Sequence, residues 1–157
     1  MNKKAISAVV ATVLIILITV AAVTIIWAAI IPMINNQISG GTQCLDAVSQ
    51  LQLVTDQGYT CKNAANISLQ VKMGAGDVDL TDIQILVSAG GDTTSSKFSD
   101  GVLSGSLPDK NGQSVIVIDT TGIMGTVSEV SIAPIVAVGN TQETCDVSAT
   151  ATLSDCS

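Results

Sequence analysis

The hydrophobic pattern of this chain changes character once, and that change divides it. From Ala5 to Ile34 the sequence AISAVVATVLIILITVAAVTIIWAAIIPMI carries no charge, and the first ionisable side chain after Lys4 is Asp46. A helix apolar all round has to be buried on every side. At about 1.5 Å per residue it reaches roughly 45 Å, more than the ~30 Å hydrocarbon core of a bilayer. Such a segment lives in lipid, in other copies of itself, or in each by turns.

After Pro32 the residues Asn35-Asn36-Gln37 and Ser39-Gly40-Gly41-Thr42 predict a looser chain, with a hinge at 39–43. Beyond it the period becomes two. In Asn66–Met73, Ile67, Leu69, Val71 and Met73 face one side and Ser68, Gln70 and Lys72 the other, the pattern of a half-buried strand. Similar runs cover Ala47–Thr55, Thr81–Ser88, Ser114–Asp119, Thr126–Val138 and Asp146–Leu153, with weaker ones at Tyr59–Asn63 and Ser96–Leu103. Turn signals separate them, as at Asp56-Gln57-Gly58, Gly90-Gly91-Asp92 and Gly139-Asn140. Pro134, inside the longest run, predicts a bulge or an edge. The expected fold is therefore α+β: a long N-terminal hydrophobic helix over residues 6–38, then an all-β sandwich of about six to eight strands over 44–157.

Charge narrows the partners. The chain has a net charge of −7; the part beyond the apolar segment has four lysines against all thirteen carboxylates, giving −9, and there is no Arg and no His. Nucleic acid is excluded as a partner, because phosphate contacts need a basic patch. Trp27, Tyr59 and Phe98 are the aromatics, too few for a base-stacking or sugar-stacking platform. Without His, and with no glycine-rich phosphate loop between a strand and a helix, the expectation is a non-enzyme that needs no cofactor.

The four cysteines, 44, 61, 145 and 156, flank the β-rich part, with no C-x-x-C among them. An even count in that arrangement predicts disulfides and an oxidising compartment. Of three pairings the sequence-adjacent one is expected, Cys44–Cys61 and Cys145–Cys156. Three further features are candidates. Asp77, Asp79 and Asp82 share a glycine-rich turn of the sort that can hold Ca²⁺, though the EF-hand pattern fails and a solvated turn is the plainer reading. Asn66-Ile67-Ser68 is the N-glycosylation sequon, which requires Asn66 exposed at a strand start. The Thr/Ser stretch Asp92–Ser99 offers hydroxyls for O-glycosylation.

Within the apolar segment, small residues recur at Ala8, Ala22 and Ala29, and again at Ala21 and Ala28. These spacings are multiples of seven, so each series lies near one helical stripe where a second helix can approach closely. An ordinary secretory signal is excluded, since its apolar stretch is about half this length and a small-residue cleavage site should follow. A plain signal anchor fits, with Lys3 and Lys4 inside and the cysteines outside.

The N-terminus also resembles that of archaeal type IV pilins, which carry a class III signal peptide. The match lies in Lys4, Ala5 and Ile6-Ser7-Ala8-Val9: a basic residue, a small residue, then the apolar helix. It covers about 30 of the 157 residues. Ala8 stands where many relatives have Pro, and the fifth mature residue would be Val10 rather than the Glu of bacterial pilins. The Gly-Ile-Gly-Thr start of archaellins is absent. The resemblance implies a leader at 1–5, cut between Ala5 and Ile6 by a prepilin peptidase. It further implies residence in the cytoplasmic membrane before assembly, and a homopolymeric extracellular filament built with membrane assembly machinery. An adhesion pilus is preferred to a motility filament. A signal-anchored monomeric ectodomain and a minor pseudopilin are the other expectations to separate.

Overall fold

The computed structural model describes the backbone of residues 3–123 and 125–156, and their side chains apart from those of 3–7, 36 and 37. Contacts divide the chain into two units, 1–38 and 39–157.

Helix α1 spans Lys3–Gln50 and contains Pro32. It runs on through Ser39-Gly40-Gly41-Thr42, where the sequence predicts a looser chain, and the strand expected from Ala47 begins only at Leu51. The physical reason lies in the spacing of Cys44, Ala47, Val48 and Leu51, which puts all four on one helical stripe. Ala47 is fully buried in a small cluster with Val136 and Cys145, against which Cys44, Val48, Val78 and Val138 pack. Docking outweighs the poor helix propensity of the two glycines. The last turn is closed from outside: the Gly74 N–H donates to the Gln50 carbonyl at 3.0 Å, and the Gly76 N–H to Gln50 Oε1 at 3.1 Å.

Ten strands follow: β1 Leu51–Val54, β2 Cys61–Lys62, β3 Asn66–Met73, β4 Leu80–Ala89, β5 Asp92–Lys97, β6 Leu103–Ser104, β7 Gln113–Asp119, β8 Val127–Val138, β9 Thr141–Thr144 and β10 Ala149–Thr152. One five-stranded sheet has the order β1-β3-β7-β6 with β2 also on β3; the other has β10-β8-β4-β5 with β9 also on β8. Every named strand pair is antiparallel. The inward residues alternate as the sequence requires, Ile67, Leu69, Val71 and Met73 from β3 meeting Ile83, Ile85, Val130 and Ile132 in one core. The fold is thus α+β, a long N-terminal apolar helix followed by two antiparallel sheets with a shared core. The strands exceed the expected six to eight because β9, Thr-Gln-Glu-Thr, is exposed at every position and carries no apolar signal, and because β5 over Asp92–Lys97 and the two-residue β6 stand where one weak run was expected at Ser96–Leu103.

Pro134 sits neither at a bulge nor on an edge strand. It pairs with Ile83 in β4, and the register shifts of that ladder fall at Leu80/Asp82 and Ser88/Ala89. On its other side β8 has two successive neighbours, β10 opposite residues 129–132 and β9 opposite 135–138. The Pro134 carbonyl accepts the Cys145 N–H there at 2.9 Å. The ring nitrogen faces the same side, where the chain passes from β9 to β10, so the missing donor falls in a break of the ladder.

The disulfides are Cys44–Cys145 and Cys61–Cys156, with Cα–Cα distances of 5.2 and 5.0 Å. This corrects the sequence-adjacent pairing. The fold carries Cys44 to the β8–β9 end of the sandwich, whereas Cys61 lies in β2 opposite Ser68, further along β3 from the Gly74 that caps the helix. The C-terminal segment runs beside β2 instead: Lys62 N–H donates to Ser154 O, and Cys156 N–H to Lys62 O, both at 2.9 Å.

Candidate functional site

The leading candidate surface is the apolar arm itself, the part of α1 in the first unit. Its described large apolar side chains are all open to the surroundings, from Ile31 at 42% to Ile25 at 68%, and they include Val9, Leu14, Ile18 and Trp27 along its length. Ala8, Ala22 and Ala29 are exposed as well. The segment is long and apolar enough to cross a membrane, and none of its most apolar window is buried.

Three polar side chains interrupt the described apolar surface, and each is satisfied within the helix. The hydroxyls of Thr12, Thr19 and Thr24 donate to the carbonyls of Val9, Ile16 and Ala21, all at 2.9 Å. A hydroxyl bonded in this way does not charge the full penalty for leaving water. An apolar environment around the arm would therefore leave none of these three hydroxyls stranded. Lys4, Ala5 and Ile6, the expected leader junction, lie outside the residues whose side chains are described.

The root of the helix, within the second unit, is the element that sequence reasoning missed. Gly40 is buried, and a Cβ there would lie 2.4 Å from Glu143 Oε2 and 3.5 Å from Val138 Cγ1; the neighbouring Gly41 faces open space. The first glycine is thus a place of close approach to β9, and the second is not. The signal available beforehand was the Cys44/Ala47/Val48/Leu51 spacing, which an alternating reading of the same residues obscured.

The three aspartates of the glycine-rich turn do not converge, which corrects the Ca²⁺ candidate. Asp77 pairs with Lys110 at 3.0 Å in the open. Asp79 is exposed. Asp82 is buried, and its carboxylate accepts the Ser99 N–H at 3.2 Å and its neighbour Ile83's N–H at 2.7 Å. Among the described residues no group of three His, Cys, Asp or Glu side chains is placed to hold a metal. Asn66 is the first residue of β3 and half-buried, its N–H donating to Asn63 Oδ1 at 2.8 Å. Thr93, Thr94 and Ser95 of β5 are exposed, the Thr93 hydroxyl lying 3.2 Å from that of Ser88.

A cleft of about 650 Å³ opens at the end of the sandwich away from the helix root, lined by Lys62, Asn63, Ile67, Thr120, Val127 and Asp155 among others. Lys62 Nζ is engaged there, donating to the Val127 carbonyl at 2.5 Å. Beside this end, the Asp119 carboxyl is held below its ordinary value by the Thr121 hydroxyl and then by the Thr121 N–H, which donates at 2.8 Å. These groups order loops; they do not assemble a nucleophile with a base.

No protein-family model matches this sequence, and no curated protein resembles it significantly.

Proposed function

We propose that this chain is the structural subunit of an archaeal type IV pilus-like extracellular filament, assembled by packing its N-terminal helices. The observation that supports this reading is the arm: apolar on every face, uncovered, and with its described threonine hydroxyls satisfied internally. The precursor waits in the cytoplasmic membrane with Lys3 and Lys4 inside. A prepilin peptidase removes residues 1–5, discarding both lysines, and membrane assembly machinery draws the helix from lipid into a bundle of identical helices. Leaving roughly 30 apolar side chains in water would cost tens of kcal/mol at ~25 cal/mol/Å². Extraction and polymerisation are therefore coupled, and a head-to-tail contact that does not close gives a helical polymer. The protein is neither an enzyme nor a cofactor carrier in this reading. Its role is adhesion to a surface rather than motility.

One other reading has an observation of its own. The same helix suffices to span a bilayer, so a signal-anchored ectodomain would use it without assembling. Electron microscopy of material sheared from cells, with peptide mapping of its N-terminus, separates the two. Filaments composed of a chain starting at Ile6 are expected. An intact Met1 and no filaments would replace the filament with the anchor. Traces of the chain in filaments built from another protein would point to a minor pseudopilin.

A further inference from the structure

The disulfides cross: Cys44–Cys145 and Cys61–Cys156 span 101 and 95 residues, and each loop contains one end of the other. In the unfolded chain the near partners are the wrong ones. Cys44 and Cys61 are about 17 residues apart, Cys145 and Cys156 about 11. Closure probability falls roughly as the −3/2 power of loop length. The short loops therefore close about 15-fold (Cys44–Cys61) and about 25-fold (Cys145–Cys156) more readily than the native ones. Export behind an N-terminal helix adds to the bias, because Cys44 and Cys61 emerge first.

We infer that this chain is a substrate for thiol–disulfide exchange. Its maturation passes through Cys44–Cys61 and Cys145–Cys156 bonds, and it needs a thiol partner of the disulfide-isomerase class to reach the crossed pairing. The inference rests on the extracellular reading of the β-domain given above. The rearrangement is redox-neutral. A partner thiolate attacks Cys61 Sγ, forming a mixed disulfide and releasing the Cys44 thiolate. That thiolate attacks Cys145 Sγ and displaces the Cys156 thiolate. The Cys156 thiolate then attacks Cys61 Sγ of the mixed disulfide and expels the partner thiolate unchanged. Folding favours the crossed product, since Cys61 and Cys145 end at 7% and 8% exposure and an attacking thiolate meets chiefly the exposed Cys156 and the half-buried Cys44 of the two bonds.

The test uses the full-length chain, reduced and unfolded in denaturant with detergent, then diluted into oxidised glutathione. Samples are quenched with an alkylating agent and their disulfides mapped by mass spectrometry. Adjacent-paired peptides should exceed crossed ones at least ~10-fold in the first bonded species. They should then convert at a rate proportional to added reduced glutathione, and stop converting when free thiol is removed. Crossed pairs dominating from the earliest time, or conversion at an equal rate without thiol, would overturn the inference. The double variant Cys61→Ser/Cys156→Ser keeps one native pair and no adjacent trap. It should form Cys44–Cys145 by direct oxidation with no dependence on reduced glutathione, and the same thiol-dependent lag in it would also overturn the inference. Should that variant not fold, the wild-type time course decides alone. Connectivity is read on unassembled chains, so a failure to form filaments leaves this result separate.

Discussion

Gly40 and Gly41 are adjacent in α1, yet the structure gives them opposite surroundings, and that contrast makes a sharp experiment. Replacing a helical glycine by alanine recovers about 0.8–1 kcal/mol of propensity. At Gly41 nothing lies within 4 Å of the added Cβ, so the full gain should appear. At Gly40 the Cβ would sit 2.4 Å from Glu143 Oε2. Glu143 is exposed, so its carboxylate can swing away, at a rotamer cost of about 0.5–1.5 kcal/mol. Gly40→Ala should therefore be near neutral. The pair Gly40→Ala/Glu143→Ala should recover most of the gain, giving an interaction energy of about 0.5–1.5 kcal/mol in a double-mutant cycle.

The assay is thermal unfolding of the full-length chain in detergent, followed by circular dichroism. For a unit of this size, 1 kcal/mol moves the midpoint by about 3–6 °C. Gly41→Ala should raise it by roughly that amount, and Gly40→Ala should leave it within about 2 °C. If Gly41→Ala has no effect, residues 39–42 are not helical and the hinge read from the sequence stands. If Gly40→Ala stabilises as much as Gly41→Ala, the approach to Glu143 is not there.

Other consequences can be checked in parallel. In a filament, Ala22→Leu should overpack neighbouring helices by about 1–3 kcal/mol per subunit and lower the yield of sheared filaments, whereas a lone anchor would accept it; equal yields would remove the case for close packing at that stripe. Leu69, fully buried opposite Ile116, should cost about 2–5 kcal/mol when replaced by Ala, read from denaturant midpoints, and a smaller loss would mean the core collapses around the gap. Thr121→Ala should raise the Asp119 pKa toward the ordinary value of an Asp carboxyl, seen by NMR titration. The depressed folded value means that Asp119's contribution is present above the unfolded pKa and fades as pH drops through the folded one, so any stability difference from wild type should vanish at the acid end. An unchanged titration would show that Thr121 is not its partner.

How much of this was legible in the sequence depended on whether a segment's local pattern agreed with its tertiary role. Asn66–Met73 alternates cleanly and became β3 with the same limits, because one face meets the core and the other does not. The run Ala47–Thr55 was ambiguous, since Ala47, Val48, Leu51 and Leu53 fit a helical stripe up to Leu51 and a strand from there on. Only the docking onto Val136 and Cys145 decides where one ends. Strand β9 has no apolar residue to betray it and exists because β8 extends far enough to pair with it. The cysteine pairing was illegible for a deeper reason. Loop entropy favours near partners, while the native pairing is set by sheet order, which joins residues far apart in the chain. The carboxylates of Asp77, Asp79 and Asp82 likewise looked like a cluster in sequence, but Lys110 and the Ser99 amide draw two of them to separate tasks.

The helix root has a consequence for any account in which the arm carries load. In sequence α1 leads directly into β1, a four-residue strand at the margin of its sheet, which would be the first element peeled by a pull along the chain. The Cys44–Cys145 bond provides a second route. It connects the helix to a residue whose N–H is bonded to Pro134 in β8, a strand paired with β4 over residues 80–89 and flanked by β9 and β10. Ala47 and Gly40 hold the helix close enough to β8 and β9 for that bond to form. The two glycines that read as a hinge thus sit in the segment that joins the helix to the best-connected strand of the sandwich. Without the Cys44–Cys145 bond, which lies C-terminal to both glycines, any load would pass along the chain into β1 alone.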